Sequence, residues 1–176
     1  MTGDDSSGGL RVVRSLVAVL ATLLAACATP DQLPRGTSEA DVIARFGQPD
    51  RVYPARGASE PRRLEYAIGP HQQFAWMIDL DADRRLLKVE QTRTFEAFGR
   101  VRVGVDTVDD VRREFGAPWK VEGYSALRLT GWLYPYKEAG VWNSMMAVMF
   151  DESGVVRRTE NGPDPRFLGG RDNQRN

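Results

Sequence analysis

The stretches RFGQPD (Arg45–Asp50) and EFGAPW (Glu114–Trp119) write Phe-Gly-x-Pro twice, sixty-nine residues apart, in a chain of 176 residues. At that one offset Ser38, Asp41, Val42, Phe46, Gly47 and Pro49 match Thr107, Asp110, Val111, Phe115, Gly116 and Pro118. Each set reads as a short helix. Ser38 and Thr107 suit an N-cap, and the aspartate three residues on favours the same end. Val42 and Phe46, like Val111 and Phe115, are four apart and share a helix face. The glycine suits a left-handed C-cap, and the proline two residues later forbids continuation. Helices are therefore expected at Glu39–Phe46 and Val108–Phe115, and the chain is expected to be built twice from one plan.

After each helix the period changes to two. Leu64, Tyr66 and Ile68 alternate with Glu65 and Ala67, and Phe74, Trp76, Ile78 and Leu80 alternate with Ala75, Met77 and Asp79. These read as strands with one buried face, and Leu86–Thr92 returns as a third. In the second copy Leu127–Tyr136, Met145–Phe150 and Val155–Thr159 fill the same slots, and Asp81 and Asp151 mark matching hairpin turns. Short links imply antiparallel pairing. Shorter helices are expected at Pro30–Leu33 and Phe95–Arg100. The fold class is therefore α+β: two tandem modules, each with one or two short helices on a three- to four-stranded antiparallel sheet. The modules span residues 36–93 and 94–160, and a flexible tail follows at 161–176. A copy of roughly 60 residues has a marginal core alone. The economical arrangement is two sheets joined edge to edge, with the helices covering one face.

The N-terminus reads RVVRSLVAVLATLLAAC from Arg11 to Cys27. Arg11 and Arg14 precede an apolar run, Leu16–Ala26, about half the ~20 residues that span a bilayer. This fits a signal-peptide core with small residues at its exit, residues 1–26. LAAC (Leu24–Cys27) resembles the lipobox of bacterial lipoproteins, which implies a lipidated Cys27 and a linker over 27–35. Ala28 follows the cysteine, where aspartate would retain an inner-membrane lipoprotein. The resemblance thus implies an outer-membrane anchor with the body in the periplasm. Cys27 is the sole cysteine, so an internal disulfide is excluded and the hydrophobic core must hold the fold. Lysine plus arginine equals aspartate plus glutamate, 24 each, which gives no support to a nucleic-acid partner.

VRVGVDTVDDVRREFGAPWKVEGYSALRLTGWLYPY (Val101–Tyr136), followed by MMAVMFDESGVVRRTE (Met145–Glu160), resembles the BamE (SmpA/OmlA) family of outer-membrane lipoproteins. The family's module has a Gly-x-x-Thr helix start, a valine, Phe/Leu-Gly-x-Pro, an aromatic strand, then a hydrophobic strand and a valine-rich return. Ser38–Thr92 matches more weakly. BamE carries one module and this chain two, a tandem arrangement similar to the secreted β-lactamase inhibitor protein, which grips its enzyme with an open sheet face. The resemblance implies a non-enzymatic, lipid-anchored binding or scaffold lipoprotein, assisting outer-membrane protein assembly or envelope integrity, with barrel-assembly components as partners. The tandem form implies an alternative: an inhibitor or regulator of an envelope enzyme. A structural lipoprotein without one defined partner is a third reading.

No catalytic residue is assigned. His71 is the single histidine, in a Gly-Pro loop, and no serine is paired with a base. Asp79, Asp81 and Asp83 begin like a calcium loop but lack its glycine and final glutamate, so a hairpin turn, no metal and no cofactor beyond the lipid are expected. The informative difference lies between the copies. The strand face opposite the core carries Glu65, Ala67, Met77 and Asp79 in copy one, and Leu129, Gly131, Leu133, Met145, Ala147 and Met149 in copy two. An apolar sheet face marks an interaction site, and methionines adapt to a partner's shape. The partner-binding residues expected are Leu129, Leu133, Met145 and Met149, with Trp119, Tyr136 and Trp142 in loops at the rim.

Overall fold

The computed structural model describes residues 29–57 and 59–168. The signal peptide expected at residues 1–26 and the expected lipidation site Cys27 lie outside the described residues, as does the end of the expected tail from residue 169. Residues up to Gln32 form a separate unit, of which the 3-10 turn Pro30–Gln32 is described.

From Leu33 onward the described residues build two four-stranded antiparallel sheets and three α-helices. Helix α1 (Glu39–Phe46) precedes β1 (Arg51–Tyr53), β2 (Arg62–Ile68), β3 (Phe74–Leu80) and β4 (Leu86–Gln91). Helices α2 (Phe95–Phe98) and α3 (Val108–Phe115) precede β5 (Lys120–Tyr124), β6 (Leu129–Glu138), β7 (Trp142–Phe150) and β8 (Val156–Pro163). Strand order is sequential in both sheets. The fold is α+β in two modules.

Local chemistry sets each helix. The Ser38 side chain accepts from the Asp41 N–H at 3.1 Å, and Thr107 and Asp110 form a reciprocal capping box. The first helical N–H groups are satisfied from the hairpin turn: Glu39 donates to Arg84 O and Val108 to Gly154 O, both at 2.9 Å. Gly47 and Gly116 have φ of 81° and 78°, but ψ of −172° and −163°, so neither is the left-handed cap the sequence suggests. The chain leaves the helix at positive φ, and a tyrosine from the facing strand takes the glycine carbonyl. Tyr66 OH donates to Gly47 O at 3.0 Å and Tyr134 OH to Gly116 O at 3.1 Å. This conformation is essentially confined to glycine.

Val42 packs on Leu64, Tyr66, Ile78, Leu80 and Leu86, with Leu33 and Phe46 at the margin. Val111 and Phe115 pack with Ala97 and Phe98 on Trp132, Tyr134, Tyr136, Met146, Val148, Phe150 and Val156. Phe98 and Phe115 stack at 4.6 Å between ring centroids. Burial of each of these large apolar side chains contributes ~1.5–3 kcal/mol.

Four expectations are corrected. The sheets are not joined edge to edge. The back face of β1–β4 lies on α3, so the molecule is layered as α1, first sheet, α2 with α3, second sheet. The reason is chemical: α3 is apolar toward its own sheet but carries Arg113 and Glu114 on the other side, and the first sheet offers Arg63, Glu65 and Asp79 to meet them. Edge strands β1 and β5 precede the strands that alternation reveals; each is short and carries little alternating apolar signal. Ile68, expected in the buried row, is 39 % exposed at the end of its strand. Residues 161–168 are not a tail. Strand β8 runs to Pro163, the Asp164 N–H donates to Asn143 O at 3.0 Å, and a 3-10 turn covers Pro165–Phe167.

Candidate functional site

The back faces of the two sheets are equivalent surfaces put to different uses. On the first sheet, Ala75, Met77, Glu65 and Asp79 are all buried. Arg63 is held to Asp79 at 2.6 Å and to Glu114 at 3.0 Å, and it donates to Arg113 O at 3.0 Å. Burial opposes the Arg63 charge, but the hydrogen bonds and charges of Asp79 and Glu114 outweigh it and raise its pKa. Glu65 accepts from Tyr53 OH at 2.7 Å and from the Ala117 N–H at 3.0 Å. Arg113 donates to Pro54 O at 3.0 Å and to Pro61 O, and its Nε lies 3.3 Å from Glu60. The charged alternation of the first sheet is thus the seat of α3.

Arg93 joins the modules. It is fully buried, and its guanidinium donates to Phe115 O at 3.3 Å, Ala117 O at 2.7 Å and Gln72 O. It also lies over the Tyr134 ring at 5.5 Å. Burial pushes its pKa down. Sequence reasoning passed over Arg93; the available signal was an arginine at the boundary between the two repeats, between the strand ending at Thr92 and the helix expected from Phe95.

On the second sheet, Leu133, Met145, Ala147 and Met149 form a separate apolar cluster with Tyr124 and Leu129 packed against it. The register pairs Leu133 with Ala147, Gly131 with Met149 and Pro135 with Met145, so the alternation assigns this face as expected. Its accessibility is not as expected. Leu133, Met145, Ala147 and Met149 are 9, 7, 8 and 2 % exposed, so the patch is not open in this structure. Every member of the cluster comes from β5, β6 and β7.

The aromatic residues do not extend this face. Tyr136 is not in a loop: it lies within β6, fully buried in the helix-side core, with its hydroxyl on Asn161 at 2.9 Å. The aromatic strand interior that fits it against Phe98, 5.4 Å away, also removes it from the surface. Trp142 opens β7 opposite Glu138, on the register of Tyr136 rather than Met145, and is 68 % exposed. Trp119 precedes β5 and lies beneath the Arg166 guanidinium, 4.3 Å from its ring centroid. The seven residues therefore divide between two sides of the sheet.

His71 sits edge-on to Phe167 at 5.4 Å, in a turn with φ of 61°. Asp79 is spent on Arg63, and Asp81 accepts the Arg85 N–H at 2.8 Å, which makes the aspartate series a strand end and a hairpin turn. Among the described residues, no group of three or more His, Cys, Asp or Glu is placed to hold a metal ion, and no helix is long and apolar enough to cross a membrane.

No family model matches the chain, and no curated protein matches it. The crystal structure of a DUF4309 family protein (YjgB) from Bacillus subtilis is similar at 15 % identity, over 73 % of this chain and 79 % of that one. Its TM-score of 0.31 is too low to bear on function.

Proposed function

We propose that this chain is a non-enzymatic lipoprotein, anchored to the outer membrane through Cys27 with its body in the periplasm. It acts there as a binding or scaffold protein of BamE-like type, in outer-membrane protein assembly or envelope integrity. The observation that carries this reading is the contrast between the sheets. The back face that receives α3 is charged, whereas at its counterpart Leu129 and Leu133 of β6 and Met145, Ala147 and Met149 of β7 form an apolar cluster. A protein partner of the processed chain docks on that second face. The test is capture from cross-linked envelopes. Leu133→Glu and Met145→Glu should abolish partner capture, with Leu133→Met as the tolerated control. Unchanged capture by variants that melt as the parent does would overturn the reading.

A second reading, inhibition of an envelope enzyme, is favoured by the β6–β7 hairpin tip. There Val141 and Trp142 are each 68 % exposed and suited to enter a cleft. It predicts that the unlipidated body inhibits an envelope hydrolase and that Trp142→Ala relieves the inhibition.

A further inference from the structure

We propose that the tip of the β6–β7 hairpin, residues 139–142, dips into the surface of the phospholipid bilayer and gives the anchored body a second contact with lipid. This rests on the lipid-anchored reading above.

The tip consists of Ala139, Gly140, Val141 and Trp142, four consecutive exposed residues without a charged or hydroxylated side chain. Val141 and Trp142 are each 68 % exposed, the highest values among the large apolar side chains described. A run of exposed apolar residues is unfavourable in water unless it meets a partner. The turn chemistry points the same way. The Val141 N–H donates to Glu138 O at 3.0 Å, across Ala139 and Gly140 with φ of 48° and 72°. Turns of that hand favour asparagine or aspartate before the glycine. Here alanine holds the left-handed position, so the polar group that such a turn normally shows to water is missing.

The tip is held firmly from behind. Strands β6 and β7 are the two longest of the described strands. Asn143 ties them to both neighbouring segments: its side chain accepts from Gln73 Nε2 at 2.8 Å, and its carbonyl accepts the Asp164 N–H at 3.0 Å. Phe167 and Leu168, 43 and 63 % exposed, follow Asp164 at this end of the sheet. The apolar surface is therefore a rigid projection rather than a groove.

Reach and chemistry select lipid as the occupant. The few residues from Cys27 to Leu33, where the folded unit begins, span at most about 20 Å. A unit of this size has a radius of gyration of about 15 Å, so the anchored body stays at the bilayer and can turn its tip toward it. That confinement raises the effective concentration of lipid at the tip, which lets a weak contact be occupied. Tryptophan favours the membrane interface, where its ring is apolar and its N–H stays wet. The charges beside the tip balance: Lys137 adjoins Glu138, and Arg166 lies 2.5 Å from Asp164. The contact is therefore apolar and needs no anionic headgroup. A contact this small does not hold the body at the membrane without the acyl chains.

The test uses residues 27–176, in which Cys27 is the sole cysteine. Cys27 is coupled to a maleimide-headgroup lipid in phosphatidylcholine vesicles with brominated acyl chains. Emission from Trp142 is the difference between the parent and Trp142→Phe. The expected result is a blue-shifted Trp142 signal quenched by the bromolipid, unchanged from low salt to about 0.5 M. Val141→Asp, at an exposed position, should cut that quenching at least about fivefold with unchanged melting. Absence of quenching in the tethered parent would overturn the proposal, as would quenching that survives Val141→Asp or vanishes at high salt. If Trp142 is not quenched but Trp142→Ala relieves inhibition of an envelope hydrolase, the tip serves an enzyme cleft and the lipid contact fails. The maleimide link replaces the natural anchor, so these outcomes do not depend on acylation. A Cys27 without acyl chains in the cell-derived protein, read by mass spectrometry, would overturn the anchored reading instead.

Discussion

The glycine that ends each long helix is required twice in different degrees. Gly47 and Gly116 both occupy a backbone region closed to side chains, which costs about 1–3 kcal/mol for alanine. Gly116 additionally abuts the Glu65 carboxylate. Gly116→Ala is therefore expected to lower the urea midpoint more than Gly47→Ala. Arg93 is the other decisive residue. Arg93→Ala leaves the Phe115, Ala117 and Gln72 carbonyls without their donor. It should destabilise by roughly 3 kcal/mol or more, at ~1–3 kcal/mol per unsatisfied buried group offset by relaxation. Lysine cannot reproduce the fork and should rescue little. The tyrosines give a pH signature. All five have raised pKa values, chiefly through burial, with Tyr66 and Tyr136 pushed up to about 12. A folded pKa above the unfolded one contributes stability that is complete below pH 10 and is lost as pH rises through the folded values. Absorbance should show little tyrosinate at pH 10 and a cooperative rise on alkaline unfolding.

At the scale of elements, α3 is amphipathic in two chemistries, apolar toward β6–β7 and ionic toward β2–β3. Arg63 and Asp79 hold the ionic side with side chains only 13 and 10 % exposed. Arg63→Ala strands Asp79 and should cost about 3–5 kcal/mol, whereas replacing both with apolar residues is often close to neutral. The expected outcome in denaturant titrations is that Arg63→Met with Asp79→Leu recovers most of the loss of Arg63→Ala. No recovery would mean that Glu114 and the Arg113 carbonyl carry the contact. The central strands β2, β3, β6 and β7 were legible by alternation because each turns a largely apolar row toward the helices. The polar residues on the other face read as solvated, since alternation reports polarity and not what covers it.

For the whole molecule, the modules are joined through Thr92 and Arg93, both fully buried, and α3 belongs to two layers at once. Unfolding should therefore be a single transition with equal calorimetric and van't Hoff enthalpies, not two. Two resolved transitions would contradict the shared layer. The proposed anchor is tested separately: if Cys27 carries acyl chains, Cys27→Ser should move the body out of the membrane fraction, because stable anchoring needs those chains.

The sequence by itself determined the repeat, both long helices with their N-caps, the main strands and which residues of β6 and β7 share a face. These follow from local periodicity and from glycine and proline, which act within a few residues. LAAC (Leu24–Cys27), which resembles a lipobox, lies outside the described residues. Only the tertiary structure decided that the first sheet's charged face is an internal seat, that Arg93 locks three carbonyls, and that Tyr136 is core. Each of these depends on groups distant in sequence arriving at hydrogen-bonding distance. Buried charge is recognisable only when its partner is in view, as with Glu65 and the Ala117 N–H, fifty-two residues apart in sequence.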